Sequence, residues 1–229
     1  PKDGIKTPSF LKMNPFGKIP TVKDGKIIVS HDLNTKRTTG RDAKLSDLTF
    51  EEARQLDAGK WKDPKFAGEK LPSLEEQLAQ VPPGKRILIE QKAGVEIVPV
   101  LKATLDQTHL KRSQLVIIDF KLPSAKAAKA AMPDLKVLWL LNPPSTDPKK
   151  PSPDLDEAIA QAKAAKLDGL DVNHKFPIDA AGMKKLKAAG LQLHVWTVDD
   201  PVIAKHWAAL GVDGITTNRS GWLREQLAK

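Results

Sequence analysis

Arg86-Ile87-Leu88-Ile89-Glu90, then the longer run from Val95 to Thr108, then Gln114-Leu115-Val116-Ile117-Ile118-Asp119, decide the fold. The outer two segments are short, rich in β-branched residues and apolar almost without interruption, which is how strands buried on both faces read. The segment between them spaces its apolar residues for a helix. The same rhythm continues through strand candidates at Lys136 to Leu141, Gly169 to Val172, Gln192 to Val198 and Gly214 to Thr217. Helical patterns fill the gaps at Ser124 to Ala131, Asp154 to Lys166, Asp179 to Ala189, Pro201 to Leu210 and Ser220 to Leu227. In Asp154 to Lys166, Leu155, Ala158, Ile159 and Ala162 fall on one helical face. Strands that each return through a helix describe right-handed parallel β/α units, which build a closed barrel or an open doubly wound sheet.

The punctuation agrees with this alternation. Gly190 and Gly211 directly follow apolar helix ends, where a left-handed backbone is cheapest for glycine. Asp200-Pro201 supplies a capping carboxylate and a proline for the first helical position. The first third reads differently. Thr21 to Ser30, with a tight turn at Asp24-Gly25, predicts a hairpin or a bent strand, and Val22 to Val29 counts as a seventh strand. Thr49 to Asp57 predicts a helix, and Lys60 to Leu71 a polar excursion holding Trp61 and Phe66. Ser73 to Gln80 predicts another helix, with Ser73 and Glu76 as a capping box. An eight-stranded barrel needs one more βα unit, expected at the N-terminus.

The chain has 229 residues, enough for one substantial core, and 1–229 is expected to be a single barrel domain, with 1–20 atypical and 33–72 an inserted excursion. Lys and Arg number 37 against 28 Asp and Glu, a formal charge of +9 that attracts anions such as phosphate esters. The lysines are dispersed, without a compact basic block interleaved with aromatics, so nucleic-acid binding is not expected. Without cysteine, disulfides, zinc-thiolate sites and thiol nucleophiles are excluded. No apolar run approaches the ~20 residues of a bilayer span, and no signal-like segment precedes Pro1, so a soluble chain of undetermined compartment is expected.

Polar groups gather where strands end, which is where barrel enzymes place their chemistry. His31-Asp32 follows Ile27-Ile28-Val29; the two residues are a functional pair or simply a strand cap and the start of a turn. Glu90 and Lys92 close the next strand. A carboxylate beside a lysine holds a divalent cation and its phosphate, or forms a plain ion pair. Asp119-Phe120, Asp171 with Asn173 and His174, Trp196, and Asp213 with Asn218 complete the set. His194 alternates inside a strand and reads as a core histidine, while His109 and His206 read as structural or solvated helical residues.

From Val22 onward the chain resembles the glycerophosphodiester phosphodiesterase family. The resemblance is carried by Lys23-Asp24-Gly25, Ile28-Val29-Ser30-His31-Asp32, Arg37-Thr38-Thr39-Gly40 and Leu56-Asp57-Ala58-Gly59. It continues through Leu71-Pro72-Ser73-Leu74-Glu75-Glu76, Ile89-Glu90-Gln91-Lys92, Val195-Trp196-Thr197-Val198 and Gly211-Val212-Asp213-Gly214. It implies a TIM-type (β/α) barrel of parallel strands that hydrolyses glycerophosphodiesters with calcium or magnesium and a histidine pair. By the same resemblance His31 is one catalytic histidine, Glu90 a metal ligand, Lys92 a neighbour of the phosphate, and Phe120 and Trp196 walls around the glycerol. The excursion after His31 resembles the family's inserted subdomain.

The N-terminal part departs from that pattern. The family's His-Arg-Gly and Pro-Glu-Asn motifs are missing, and its Glu-x-Asp positions hold Phe16 and Lys18. The family's first βα unit is therefore expected to be missing or replaced. Thr7 to Pro20, continuing to Asp24-Gly25, resembles instead the glutathione-contacting stretch of glutathione transferases, so a recombined or engineered chain is one expectation. Metal binding at Glu90 is doubtful with so few carboxylates, and impaired hydrolysis is expected. The alternative is a non-catalytic chimeric barrel that keeps the fold and at most weak phosphate binding. A small phosphodiester or phosphate is the expected partner in both cases, with oligomeric state left open.

Overall fold

A computed structural model of the protein describes residues 16–19, 24–147, 149 and 151–228. The chain divides into two compact units. One runs through Ile117 and includes Ala130–Leu135; the other comprises Ile118–Lys129 and Lys136 onward. Within each, strands that neighbour one another in the sheet also follow one another in the chain.

In the first unit, β1 (Phe16–Ile19) lies parallel to β2 (Ile87–Gln91), with Phe16 opposite Leu88 and Lys18 opposite Glu90. The strand β3 (Leu115–Asp119), whose first three residues belong to this unit and last two to the other, is buried at every position, which matches its apolar run Leu115 to Ile118. Its crossover helix is shorter than the pattern predicts: a 3-10 turn at Val95–Ile97 leads into Val98–Asp106, and His109 lies exposed beyond the helix end. The helix buries Val98, Leu101 and Leu105 along one face.

The expected strand over Val22 to Val29 is corrected by the structure. Its described part forms an antiparallel bridge from Ile28 to Ser73, with Val29 N–H donating to Pro72 O at 2.8 Å and Leu74 N–H to Ile27 O at 3.1 Å. Among the described residues the sheet strands therefore include Phe16–Ile19, and no strand is formed by the described part of Val22 to Val29. The physical reason lies in what covers the apolar run. Ile27, Ile28 and Val29 are all buried in succession, and Ile28 joins Leu45, Leu48, Ala53 and Leu71 in a small core inside the excursion. Asp24-Gly25 does form a turn, with Gly25 at φ 77°, and Asp24 Oδ2 accepts from Phe50 N–H at 3.0 Å.

Within the excursion, α1 (Lys36–Thr39) is one turn closed by Gly40, and α2 (Phe50–Gln55) starts on a Thr49/Glu52 capping box. The predicted Ser73/Glu76 box also forms and opens α3 (Leu74–Leu78). Arg54 ties the excursion to that box, donating to both carboxylate oxygens of Glu76 at 2.8 and 3.0 Å. A βα unit ahead of β1 would fall outside the described residues.

In the second unit, β4 (Lys136–Leu141), β5 (Gly169–Asn173), β6 (Gln192–Trp196) and β7 (Gly214–Ile215) run parallel. Asp171 pairs with His194 and Asn173 with Trp196. Intervening helices at Leu155–Ala164, Ala180–Ala188 and Pro201–Leu210 each begin on an aspartate cap: Asp154, Asp179 and Asp200. Such a cap is worth about 1 kcal/mol. Gly211 ends the third in the left-handed conformation, as its position predicts. Gly214 is needed for space, since a Cβ there would sit 3.0 Å from the His194 ring. The result is a parallel-strand α/β fold, consistent with a TIM-type barrel.

Candidate functional site

His31 follows the short bridge rather than a sheet strand, and it is well exposed: 61% of its side chain is open to solvent. Its Nδ1 lies 2.5 Å from Asp32 Oδ1, and the other Asp32 oxygen accepts from Arg37 Nε at 2.5 Å. The Arg37 hydrogen bond holds the Asp32 carboxyl below the usual carboxylate range against the opposing effect of burial, and the contact to His31 adds a smaller push in the same direction as Arg37. Arg37 also lies over the Trp61 ring, 5.0 Å from its centroid. The excursion thus folds back so that Trp61 meets Arg37, twenty-four positions earlier in the chain, which in turn meets Asp32.

Glu90 and Lys92 form the ion pair that their spacing allows, Nζ to Oε1 at 3.0 Å. The Glu90 side chain is 4% exposed and that of Lys92 21%, so the pair stands at a largely buried strand end. In register, the neighbour of Glu90 on β1 is position 18, a lysine where the resemblance expects a carboxylate. A hard divalent ion takes six or more oxygen ligands. Among the described residues no three His, Cys, Asp or Glu side chains gather as such an ion requires. The described residues around Glu90 do not fit a calcium or magnesium site.

In the second unit Phe120 and Trp196 meet edge to face, ring centroids 5.7 Å apart and planes at 84°. Trp196 Nε1 donates to Asp171 O at 3.0 Å, which anchors the indole, and Trp139 Nε1 donates to Phe120 O at 3.1 Å, which holds the Phe120 backbone. His174 N–H donates to Trp196 O at 2.7 Å. Asp119 and Asp171 are buried, and His194 is buried as a core histidine. Asp213 serves the backbone, accepting from Leu193 N–H at 2.9 Å. Asn218 belongs to a cluster that sequence reasoning overlooked. Its backbone and side chain both donate to Asp199, as does the Thr217 hydroxyl. The doubled Asp199-Asp200 directly after a strand was the available signal, since only one aspartate is needed to cap the helix.

Residues 21–221 match the model of the glycerophosphoryl diester phosphodiesterase family. The chain belongs to this family. Its similarity to individual phosphodiesterases spans most of the chain. A glycerophosphodiester phosphodiesterase of Bacillus subtilis (strain 168) is 29% identical over 212 residues, covering 86% of this chain and 70% of the relative. A probable glycerophosphodiester phosphodiesterase 2 of Mycobacterium tuberculosis is 24% identical, covering 91% of this chain and 77% of its own. Among solved structures, an Oleispira antarctica phosphodiesterase in complex with the product sn-glycerol-3-phosphate superposes with a TM-score of 0.80 at 21% identity, covering 93% of this chain and 83% of that one. A putative glycerophosphoryl diester phosphodiesterase from Agrobacterium tumefaciens superposes at 0.78 and 22% identity, over 97% and 91% of the two chains. The phosphodiesterase fold is thereby shown. The family match starts at residue 21, and the stretch resembling glutathione transferases lies outside the described residues except for 16–19 and 24–25. No helix among the described residues is long and apolar enough to cross a membrane.

Proposed function

We propose that the chain is a glycerophosphodiester phosphodiesterase of reduced activity, hydrolysing glycerophosphodiesters to glycerol phosphate and an alcohol. The observation that carries this reading is His31: a solvent-facing imidazole whose Nδ1 is tied to Asp32, which leaves Nε2 for exchange with substrate. Water attacks phosphorus and its surplus proton passes to solvent, the bond from phosphorus to the alcohol oxygen breaks, and protonated His31 gives its Nε2 proton to the departing oxygen. The Lys92 ammonium is suited to the charge on the phosphoryl oxygens. By family resemblance Phe120 and Trp196 flank the glycerol carbons. The product in the Oleispira antarctica relative, sn-glycerol-3-phosphate, is the product expected here. The range 1–229 is read as one barrel domain.

The family generally depends on a divalent metal. The poor fit of the described residues to such an ion supports the reduced rate, since Glu90 already pairs with Lys92 and Lys18 stands beside it in register. The same two observations favour the second reading, a non-catalytic barrel with at most weak affinity for phosphate. An assay of glycerol 3-phosphate release by the full chain, with and without added calcium or magnesium, separates them. Slow release that gains little from the metal is expected. A metal-requiring rate near the ordinary enzymatic value of about 10 s⁻¹ contradicts the impairment, and no release at all favours the non-catalytic barrel.

A further inference from the structure

Arg37 does not bear the chemistry itself, but it holds Asp32, whose other oxygen contacts His31. Its Nε reaches Asp32 Oδ2 at 2.5 Å, and its guanidinium lies 5.0 Å from the Trp61 centroid. The side chains of Arg37 and Asp32 are 51% and 28% exposed, and an ion pair this open holds its geometry weakly by itself, because water competes and two side chains must be ordered. Stacking on an indole face adds a second restraint that water does not replace.

That indole is itself fixed. Trp61 Nε1 donates to Ala58 O at 2.9 Å, and the loop carrying both is pinned by Asp57. One oxygen of Asp57 accepts from the backbone N–H of Gly59 and Lys60, each at 2.9 Å, and the other from Gly68 N–H at 2.8 Å. At its other end Arg37 sits in the single turn of α1, closed by Gly40 N–H donating to Lys36 O at 2.9 Å. A line of contacts therefore runs from the pinned loop through Trp61, Arg37 and Asp32 to His31.

The chemistry at the end of that line follows from proton counting. An ionised carboxylate has no proton to donate, so the short contact to His31 requires the hydrogen to sit on Nδ1. With Nδ1–H committed to Asp32, the neutral ring presents a bare Nε2 outward, and the protonated ring presents Nε2–H. Either way Nε2 is the atom that exchanges a proton with a ligand.

We propose that Arg37, held over Trp61, is a positioning residue that fixes the Asp32 carboxylate and thereby keeps His31 in the Nδ1–H tautomer with Nε2 facing outward. The inference rests on reading His31 as the proton-transferring group, and it gives the excursion a role in orienting that histidine from thirty residues away.

The test is nitrogen-15 NMR of the imidazoles in the full-length resting protein, at a pH where His31 is neutral. In the wild type, Nδ1 of His31 is expected to show the shift of a protonated nitrogen and Nε2 that of a bare one. Arg37→Gln is expected to move both towards a tautomer mixture, and Trp61→Ala to produce part of the same change. Trp61→Phe, which keeps a ring for the guanidinium, is expected to retain the wild-type pattern. His194, buried in β6, reports whether the fold is intact. Where turnover is measurable, Arg37→Gln lowers kcat by about ten- to a hundredfold, the range expected for a misplaced catalytic group, with KM little changed. Unchanged His31 nitrogen shifts in Arg37→Gln overturn the proposal. A tautomer change in a chain that shows no hydrolysis supports the positioning role while it removes the hydrolytic reading, so the two stand or fall separately.

Discussion

Lys92 reaches water with about a fifth of its side chain, while its partner Glu90 is almost wholly enclosed. Removing the ammonium leaves a carboxylate in a buried strand end short of one opposite charge. That loss costs more than an exposed pair would, because desolvation is no longer offset. Lys92→Met is expected to lower unfolding stability by about 1–3 kcal/mol, measured in urea. The double variant Glu90→Gln/Lys92→Met recovers most of it, and a single variant as stable as the wild type contradicts the account. Both residues were legible in the sequence, since a polar pair two apart after Ile87-Leu88-Ile89 stands out against an apolar run. Arg37 and Trp61 were not. The motif Arg37-Thr38-Thr39-Gly40 marks a resemblance, but only the folded excursion brings its arginine to Asp32 and to an indole many residues away.

At the scale of elements, Asp199 joins the segment after β6 to the segment after β7 within one unit. Burial alone would raise its carboxyl, but hydrogen bonds from Asn218, through side chain and backbone, and from the Thr217 hydroxyl outweigh that and hold it below the usual range. A carboxyl depressed in the folded state contributes stability that is fully present above its unfolded pKa and is lost as pH falls through the lower folded value. Melting temperatures of the wild type and Asp199→Asn are therefore expected to differ near neutrality, with a gap that begins to narrow below about pH 5 and closes only once the pH has fallen below the lowered folded value. A gap that stays constant with pH contradicts the assignment. The strands around this cluster were readable because parallel strands buried on both faces spell continuous apolar runs. The same cue misled at Val22 to Val29, where the short apolar run Ile27-Ile28-Val29 is buried and Ile28 joins the small core of the excursion instead of a sheet strand. Phe16–Ile19 had the opposite problem: Phe-Gly-Lys-Ile carries no strand pattern, and only its pairing with β2 reveals it.

At the scale of the whole molecule, fold and family were both legible, the first from the β/α rhythm and the second from short motifs kept in one order and matched over residues 21–221. The site was legible only in part. Sequence names His31 and Glu90, but their settings depend on backbone register and on the excursion's packing, which put a lysine position beside Glu90 and an Asp-Arg-Trp relay behind His31. Together these place a line of contacts from Asp32 through Arg37 to Trp61 behind an exposed His31, and a lysine position opposite Glu90 in the sheet register. The central claim is the role of His31, and the direct measurement compares glycerol 3-phosphate release by the wild-type chain and by His31→Gln under one set of conditions. Loss of general acid catalysis predicts a fall of about 10²-fold or more with stability unchanged. Release at the same rate from both proteins would contradict it.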